Sequence, residues 1–222
     1  MPDSPVMLAD ALAPLVAGGR RDYRAGGAAG ALPLTLAAFE QLIGDAAVPA
    51  RQYRLLREGM ALPPALYCDA ASGLARPDAV RALYAQGVTI ALDRIDRLVP
   101  AIRTLGDALA ARLGREVNAN SYLTGGTKAA LAAHCDGHDV LVVQIAGAKH
   151  WRCFGLTADP IGAEGHRADV TGRTPAWEGL VAEGDVLYLP RGEIHCAAPA
   201  QSPSLHLSLR FKSGTLAESA NR

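Results

Sequence analysis

Residues 184–195 read GDVLYLPRGEIH, and this stretch carries the clearest indication of the fold. Glycine and aspartate at its start are typical turn residues, and residues 186–189 form a short β-rich run. The Pro-Arg-Gly sequence at 190–192 predicts a second turn before the chain enters a new strand. The stretch therefore predicts a turn, a strand, a second turn and a new strand that carries His195.

The rest of the second half repeats this pattern of short β-rich runs between turn residues. Strands at this spacing indicate an antiparallel sandwich or barrel. The predicted strands cover residues 117–123, 139–145, 150–154, 179–181, 186–189 and 205–211.

The first half reads instead as helices and irregular segments. Apolar residues spaced by three and four predict the clearest helix over 92–113, with Gly114 as its C-cap and Pro100 as a point where it could bend. Helices first and a β unit second indicate an α+β protein that is mainly β. We expect a helical or irregular region at 1–86, a barrel core at 87–212 and a tail at 213–222. Shorter helices are predicted over 7–16, 34–43 and 77–84, and strands over 53–56 and 88–90.

Composition excludes several classes of function. The chain has 222 residues, half of them apolar, and 22 basic residues balance 22 acidic ones. A zero net charge predicts no direct binding to nucleic acid and no attraction to an anionic membrane. No apolar run is long enough to span a bilayer, and residues 1–19 lack the basic start of a signal peptide. Four cysteines without C-x-x-C spacing favour reduced thiols and a cytoplasmic location.

His134, Asp136 and His195 are the candidate metal ligands. In a strand, residues two apart point to the same face, so His134 and Asp136 aim together while Cys135 aims away. The third ligand must come from another strand, and His195 qualifies. His138 is a rival, although Gly137 favours a bulge that would turn it away. Two imidazoles and one carboxylate form the facial triad of non-haem Fe(II) oxygenases, which leaves the opposite face of the metal open.

Together these residues resemble the JmjC-type cupin oxygenases, in the branch that contains the ribosomal oxygenases. Residues 184–195 match the second cupin motif, G-x5-P-x-G-x2-H, but Pro199 stands where many cupins have asparagine. The first cupin motif usually reads H-x-H followed by a glutamate. Here it is H-x-D, with Val140 and Leu141 where the acid would fall, as in 2-oxoglutarate oxygenases. The resemblance covers roughly residues 87–211.

The resemblance implies a double-stranded β-helix (cupin or jelly-roll) barrel with N-terminal helices packed against it. It also implies that His134, Asp136 and His195 bind Fe(II). The cosubstrate 2-oxoglutarate would be held by Lys149 at its distal carboxylate, and by four further residues lining or flanking the pocket. These four are Asn120, Tyr122, Ser204 and His206.

The position of Lys149 supports this role independently. It ends an apolar strand, and an ammonium buried without a partner is costly, so its presence implies an anion. The activity implied is hydroxylation of a carbon in a peptide or protein side chain, with succinate and CO2 as coproducts. Histidine or arginine β-hydroxylation is favoured, with a ribosomally made precursor peptide as one candidate substrate and a small molecule as an alternative.

Two other functions stay open at this point. One is a metal-dependent cupin enzyme that does not use 2-oxoglutarate, against which Lys149 and Asn120 argue. The other is a non-enzymatic cupin module for binding or sensing, against which the intact triad argues. Substrate contacts are expected from residues 51–57 and from the loop 157–175, which reads equally well as a surface connector.

The partners of the chain are the last expectation. The ribosomal oxygenases continue after the barrel with a dimerising helical segment and a winged-helix-like domain. Only eleven residues follow Phe211 here, so we expect that mode of dimerisation to be missing, and a homodimer of another kind stays open.

Overall fold

A computed structural model describes residues 5–45, 47–126, 131–163 and 165–212, so the tail predicted at 213–222 lies outside the described residues. Within these ranges the chain forms four α-helices, three short 3-10 turns and eleven strands. The helices are α1 (Pro5–Ala17), α2 (Leu36–Ile43), α3 (Pro77–Ala85) and α4 (Pro100–Leu113), and the 3-10 turns are Ala50–Gln52, Pro64–Leu66 and Ile95–Arg97. The strands are β1 (Asp22–Arg24), β2 (Tyr53–Arg57), β3 (Met60–Ala61), β4 (Thr89–Leu92), β5 (Val117–Thr124), β6 (His134–Cys135), β7 (Asp139–Leu156), β8 (His166–Arg167), β9 (Trp177–Ala182), β10 (Val186–Leu189) and β11 (Glu193–Phe211).

All strands join in one antiparallel sheet that curls into a barrel. The order of hydrogen-bonded neighbours is β1-β10-β7-β11-β5-β4-β2-β3. Three short strands branch from this path, because β6 pairs with β11 and β8, and β9 pairs with β7. Strands from both ends of the chain thus meet in the sheet.

The two long strands β7 and β11 pair with each other twice. The first part of β7 pairs with the end of β11, with Asp139 opposite Phe211, and the last part pairs with the start of β11, with Leu156 opposite Glu193. Gly147 lies at the change between the two zones with φ +63°. A Cβ there would be 2.3 Å from the carbonyl oxygen of Pro203, so the close approach requires glycine.

The double pairing corrects the predicted strand limits. Residues 139–145 and 150–154 were expected as separate strands, and the strand at 205–211 was expected to begin there. The first two segments both belong to β7, and the third is the end of β11. Register shifts, not turns, interrupt the pairing of these two long strands.

The helix predicted over 92–113 begins only at Pro100. Leu92 ends β4, and Ile95 belongs to a 3-10 turn. Proline lacks the N–H of a helix interior, restricts the residue before it, and is favoured at the first helical position. Leu92 and Ile95 are fully buried, and Leu98 and Val99 pack against the same core, which explains why the apolar spacing looked continuous. Gly114 is the left-handed C-cap, as predicted.

One apolar core joins the N-terminal helices to the barrel. It contains Leu12 of α1 and Phe39 of α2 together with Leu141 of β7 and Leu207 of β11. The predicted fold, an α+β protein that is mainly β with a cupin-type barrel and N-terminal helices packed on it, is confirmed. The domain limits at 86 and 212 stay a prediction.

Across the described ranges, no helix has both the length and the apolar character needed to cross a membrane.

Candidate active site

A cavity of about 580 Å³ opens into the barrel and collects most of the predicted site residues. The inner faces of β5, β7 and β11 form its walls, and β6 and the following loop form one side. Its lining includes Arg54, Asp93, Asn120, Tyr122, His134, Asp136, His138, Val140, Lys149, Trp151, His166, Arg167, His195, His206, Ser208 and Arg210.

The three predicted metal ligands converge on one side of this cavity. One donor atom from each of His134, Asp136 and His195 lies within 4.8 Å of the other two. His195 on β11 is paired directly with His134 on β6, and Asp136 follows in the loop after β6. Cys135 points the other way, into an apolar cluster with Phe154 and Ile194. Strand alternation thus separates the cysteine from its two neighbours as expected.

Backbone hydrogen bonds orient both imidazoles of this cluster. Nδ1 of His134 lies 2.9 Å from the carbonyl oxygen of Ala132, and Nδ1 of His195 lies 2.8 Å from that of Glu193. A carbonyl can only accept, so each Nδ1 carries the proton and each Nε2 keeps a free lone pair. Nε2 of His195 is 3.7 Å from Oδ2 of Asp136. The donor set therefore consists of two nitrogen lone pairs and one carboxylate.

The protonation state of His195 suits the binding of a cation. Burial, followed by the neighbouring His134, lowers the pKa of His195 to about 4. The imidazole is consequently neutral near pH 7, which is the form that binds a metal.

Hydrogen bonds connect the turn before β11 to the loop after β6. The backbone N–H of Gly192 donates to the carbonyl oxygen of Asp136 at 3.0 Å. Asp139 accepts from the backbone N–H of Arg191 at 2.7 Å and also pairs with Arg115. These bonds hold the turn before β11 against the loop after β6, so the ligands from the two strands keep a common position.

Lys149 is the buried cation of the cavity. Its side chain is only 3% exposed, and Nζ lies 2.7 Å from Nδ1 of His206. Among the described residues, no carboxylate lies within 4.0 Å of this ammonium. Burial lowers the pKa of Lys149 to about 7, and burial together with the lysine charge lowers that of His206. A neutral imidazole thus accepts a hydrogen bond from the ammonium, and none of the described carboxylates pairs with this cation.

A family model described as a JmjC domain matches residues 97–219, which is more than half of the chain. The chain belongs to the JmjC domain family. The resemblance inferred from the motifs is confirmed.

Relatives of this JmjC domain include two named bifunctional lysine-specific demethylase and histidyl-hydroxylase NO66. The Drosophila mojavensis protein is 30% identical over 151 residues, covering 62% of this chain and 16% of its own length. The Caenorhabditis elegans protein is 32% identical over 112 residues, covering 47% and 15%. The chain thus spans about a sixth of the length of these curated relatives.

Solved structures of the Escherichia coli ribosomal oxygenase YcfD share the fold. One matches with a TM-score of 0.63 at 14% identity, covering 91% of this chain and 52% of that one. A YcfD complex with cobalt and 2-oxoglutarate matches with a TM-score of 0.61 at 15% identity, covering 91% and 50%. At this identity the likeness supports the fold, and the chain spans about half of the YcfD chain.

Three of the four further residues predicted for the cosubstrate line the cavity of this JmjC domain. The ring of Tyr122 stacks on His206, with centroids 5.0 Å apart, and its hydroxyl accepts from Arg54 at 3.1 Å. Asn120 lines the wall, and its Oδ1 accepts from the backbone N–H of Arg94 at 3.0 Å.

Ser204 is not brought to the cavity. It is fully buried, and its hydroxyl accepts from Gln144 at 2.8 Å.

His138, the rival ligand, stays outside the three-residue cluster. It lines the cavity and accepts from Nε of Arg210 at 2.7 Å. Arg210 and Ser208 are cavity residues that sequence reasoning missed, although strand alternation from His206 would have placed both on the same face.

The segments predicted to contact substrate do reach the cavity. Arg54 lies in the predicted segment 51–57 and forms a two-bond ion pair with Asp93 at 2.6 Å. His166 and Arg167 lie in the loop 157–175, form β8 and line the rim. Asp93 was not anticipated, since it has no motif and reaches the site only through the pairing of β2 with β4.

Proposed function

We propose that this JmjC domain is an Fe(II)- and 2-oxoglutarate-dependent hydroxylase that acts on a carbon of a peptide or protein side chain. One observation carries the proposal. A cluster of two imidazoles and a carboxylate shares a cavity with a buried ammonium that has no acidic partner among the described residues. The first group suits a divalent metal, and the second suits the free end of a dicarboxylate.

The donor set fits iron by its chemistry. His134, Asp136 and His195 would hold the metal through nitrogen and oxygen donors, leaving its opposite face open for small ligands. Bound iron supplies oxygen activation coupled to the conversion of 2-oxoglutarate into succinate and CO2. The role of the protein is to hold the reactants in place and to exclude water.

Lys149 would bind the distal carboxylate of 2-oxoglutarate. His206 holds the ammonium from one side, and Tyr122 supports His206 by stacking. A buried cation fixed by such contacts binds a carboxylate without further rearrangement, which strengthens the interaction.

Trp151 contacts rings at both the metal end and the lysine end of the cavity. Its ring stacks on His195 at 5.8 Å and meets the ring of His206 edge-on at 5.7 Å. An aromatic side chain along the wall between the two ends helps to exclude water from the space that the cosubstrate would occupy.

Histidine is the favoured target residue, and arginine is the second. The named activity of the fly and nematode relatives includes histidyl hydroxylation. A guanidinium target would also be placed beside Arg210 and a metal dication, which like charges oppose. The substrate could be a ribosomally made precursor peptide or a protein loop. The cytoplasmic location stays a prediction.

Titration of the anaerobic protein with Fe(II) and then with 2-oxoglutarate tests the proposal. We expect the weak visible charge-transfer band of the ternary complex in the wild type and its loss in H134A and D136A. Succinate formation should fall by at least about a hundredfold in both variants.

Cys135→Ala is the matched control, because this side chain lies between the two ligands but points into the apolar cluster. It should keep the band. Undiminished succinate formation in H134A or D136A would refute the assignment, and mass spectrometry of candidate peptides for one added oxygen would identify the target residue.

A further inference from the structure

We propose that Arg210 binds a carboxylate of the substrate on the metal side of the cavity, so that the enzyme selects an acidic substrate group close to the carbon it oxidises. The inference deepens the proposed function and rests on it. It concerns a residue to which neither the motifs nor the comparisons assign a role.

Arg210 faces the same cavity as the candidate ligands. It lies on β11 on the face that also carries His206 and Ser208, and all three line the cavity. Its Nε donates to Nε2 of His138 at 2.7 Å. His138 follows Asp136 by two residues, and Arg210 itself pairs across the sheet with Val140, four residues after Asp136. The guanidinium therefore belongs to the metal side.

Arg210 is too far along the strand to bind the same carboxylate as Lys149. The ammonium is in contact with His206, four residues before Arg210 in an unbroken stretch of β11. Four residues of strand span about 13 Å. One carboxylate cannot serve both cations, so Arg210 requires another anion.

None of the described residues supplies that anion. No carboxylate among them lies within 4.0 Å of the Arg210 guanidinium, whose side-chain hydrogen bonds to described residues both go to His138. Arg54, the other half-buried arginine of the cavity, is in contrast fully paired with Asp93. A partly desolvated guanidinium without an acid is costly, and its N–H groups match a carboxylate in geometry.

The charges of the whole cavity agree with an anionic substrate. Four cationic side chains line it, and the only carboxylates among its described lining residues are Asp93 and Asp136. A bound metal dication and the dianionic cosubstrate offset each other, so the positive excess remains in the loaded enzyme. This excess favours association with a negatively charged group.

The anion could come from two sources. An aspartate or glutamate side chain at or next to the target residue would present a carboxylate, and so would the C-terminus of a short peptide. Both offer the same planar group, and matched pairs of peptides separate them.

The experiment uses the full chain loaded with Fe(II) and 2-oxoglutarate in the absence of oxygen. The probes are short histidine peptides that differ in one residue, aspartate or asparagine beside the histidine, and a second pair with a C-terminal acid or amide. We expect the acidic member of one pair to bind at least about tenfold more tightly than its neutral counterpart. The pair that shows the preference identifies the source.

Arg210→Gln should remove this preference and leave the 2-oxoglutarate affinity within about twofold of the wild type. Arg210→Lys should restore part of the preference, since it keeps the charge but loses the planar fork. Arg152→Gln is the matched control, because it removes one positive charge from the exposed side of β7.

Equal binding of acid and amide in both pairs would overturn the inference, as would a preference that survives in R210Q. Loss of 2-oxoglutarate binding in R210Q would also overturn it, because the anion would then be the cosubstrate. Failure of the proposed function is separate, since it would show as no charge-transfer band in the wild type.

Discussion

The ammonium of Lys149 lies 2.7 Å from Nδ1 of His206, and both side chains are buried in the wall of the barrel. A buried lysine that contacts a neutral imidazole rather than a carboxylate has a lowered pKa, so it loses its proton more easily. The pair therefore gives the cavity a cation that becomes stable when a dicarboxylate enters. The state of this lysine leads to three testable expectations.

Lys149→Ala should weaken 2-oxoglutarate binding by about tenfold to a hundredfold, the effect of a hydrogen bond to a charged group. Metal affinity should change little, because Lys149 is not one of the three candidate ligands. Titration of the charge-transfer band measures both. His150→Ala is the control, since His150 is the next residue on β7 and is exposed. An unchanged 2-oxoglutarate affinity in K149A would remove the lysine from the cosubstrate site.

Affinity for 2-oxoglutarate should fall as pH rises above about 7. Burial lowers the pKa of Lys149 to about 7, so the free protein loses the cation above that pH, while the bound dianion restores it. Binding then takes up a proton and weakens by at most about tenfold per pH unit. Calorimetry in two buffers of different ionisation enthalpy, from about pH 6 to about pH 9, measures the uptake. A flat affinity across this range would contradict the prediction.

The same shift has a consequence for the ligand-free protein. The pKa is lower in the folded than in the unfolded chain, whose ordinary value is 10.5. The unfolded state thus binds more protons than the folded state between about pH 7 and 10.5. In that window the contribution of Lys149 to the free energy of unfolding therefore rises with pH. Urea unfolding of wild type and K149A at several pH values should show this slope only in the wild type.

Gly137→Ala should disturb the candidate metal site. A Cβ at Gly137 would lie 2.1 Å from the carbonyl oxygen of Gly162 and 2.4 Å from that of Ala163, so the backbone of one loop must move. We expect a loss of about 2 kcal/mol in unfolding free energy and a measurable loss of metal affinity. Gly162→Ala is the control, because its Cβ would meet nothing within 4 Å. Equal effects in the two variants would show that the close approach is unimportant.

Arg21→Met should destabilise the barrel by about 3 kcal/mol. Glu193, 4% exposed, pairs with Arg21 and accepts from the backbone N–H of Gly155 at 3.1 Å, so loss of the arginine leaves a buried carboxylate. Arg24→Met breaks the exposed pair with Asp22 and should cost less than about 1 kcal/mol. Urea unfolding compares the two. Similar losses would mean that the buried pair contributes no more than the exposed one.

Much of the candidate site was open to prediction because its residues sit in short motifs. His134 and Asp136 share a face through strand alternation, and Lys149 stands out as a charge at the end of an apolar run. Alternation along β11 also places Ser204 on the face that carries His206, because the pairing with β5 is unbroken from Ser204 to Phe211. Its hydroxyl is nevertheless buried against Gln144, and its role toward the cosubstrate stays a prediction.

No individual role for Arg54, Asp93 or Arg210 could be predicted from the sequence. Arg54 was covered only by the predicted segment 51–57, and neither Asp93 nor Arg210 lies in a motif. Arg54 and Asp93 reach the cavity because β2 pairs with β4 and β4 with β5, contacts between residues far apart in the chain. Pairing of this kind depends on the sum of many weak contacts, which local patterns do not encode.

The amino-acid sequence by itself predicted the position of part of each longer strand, several of the turns and the polar residues that flank them, because backbone propensities and alternation act within a few residues. The tertiary structure alone decided that β7 and β11 pair twice, that Leu92 and Ile95 before α4 lie in the core outside any α-helix, and that Arg210 faces the metal side. These features arise from burial and strand pairing across the whole barrel, where one register satisfies the backbone hydrogen bonds and buries the apolar faces together.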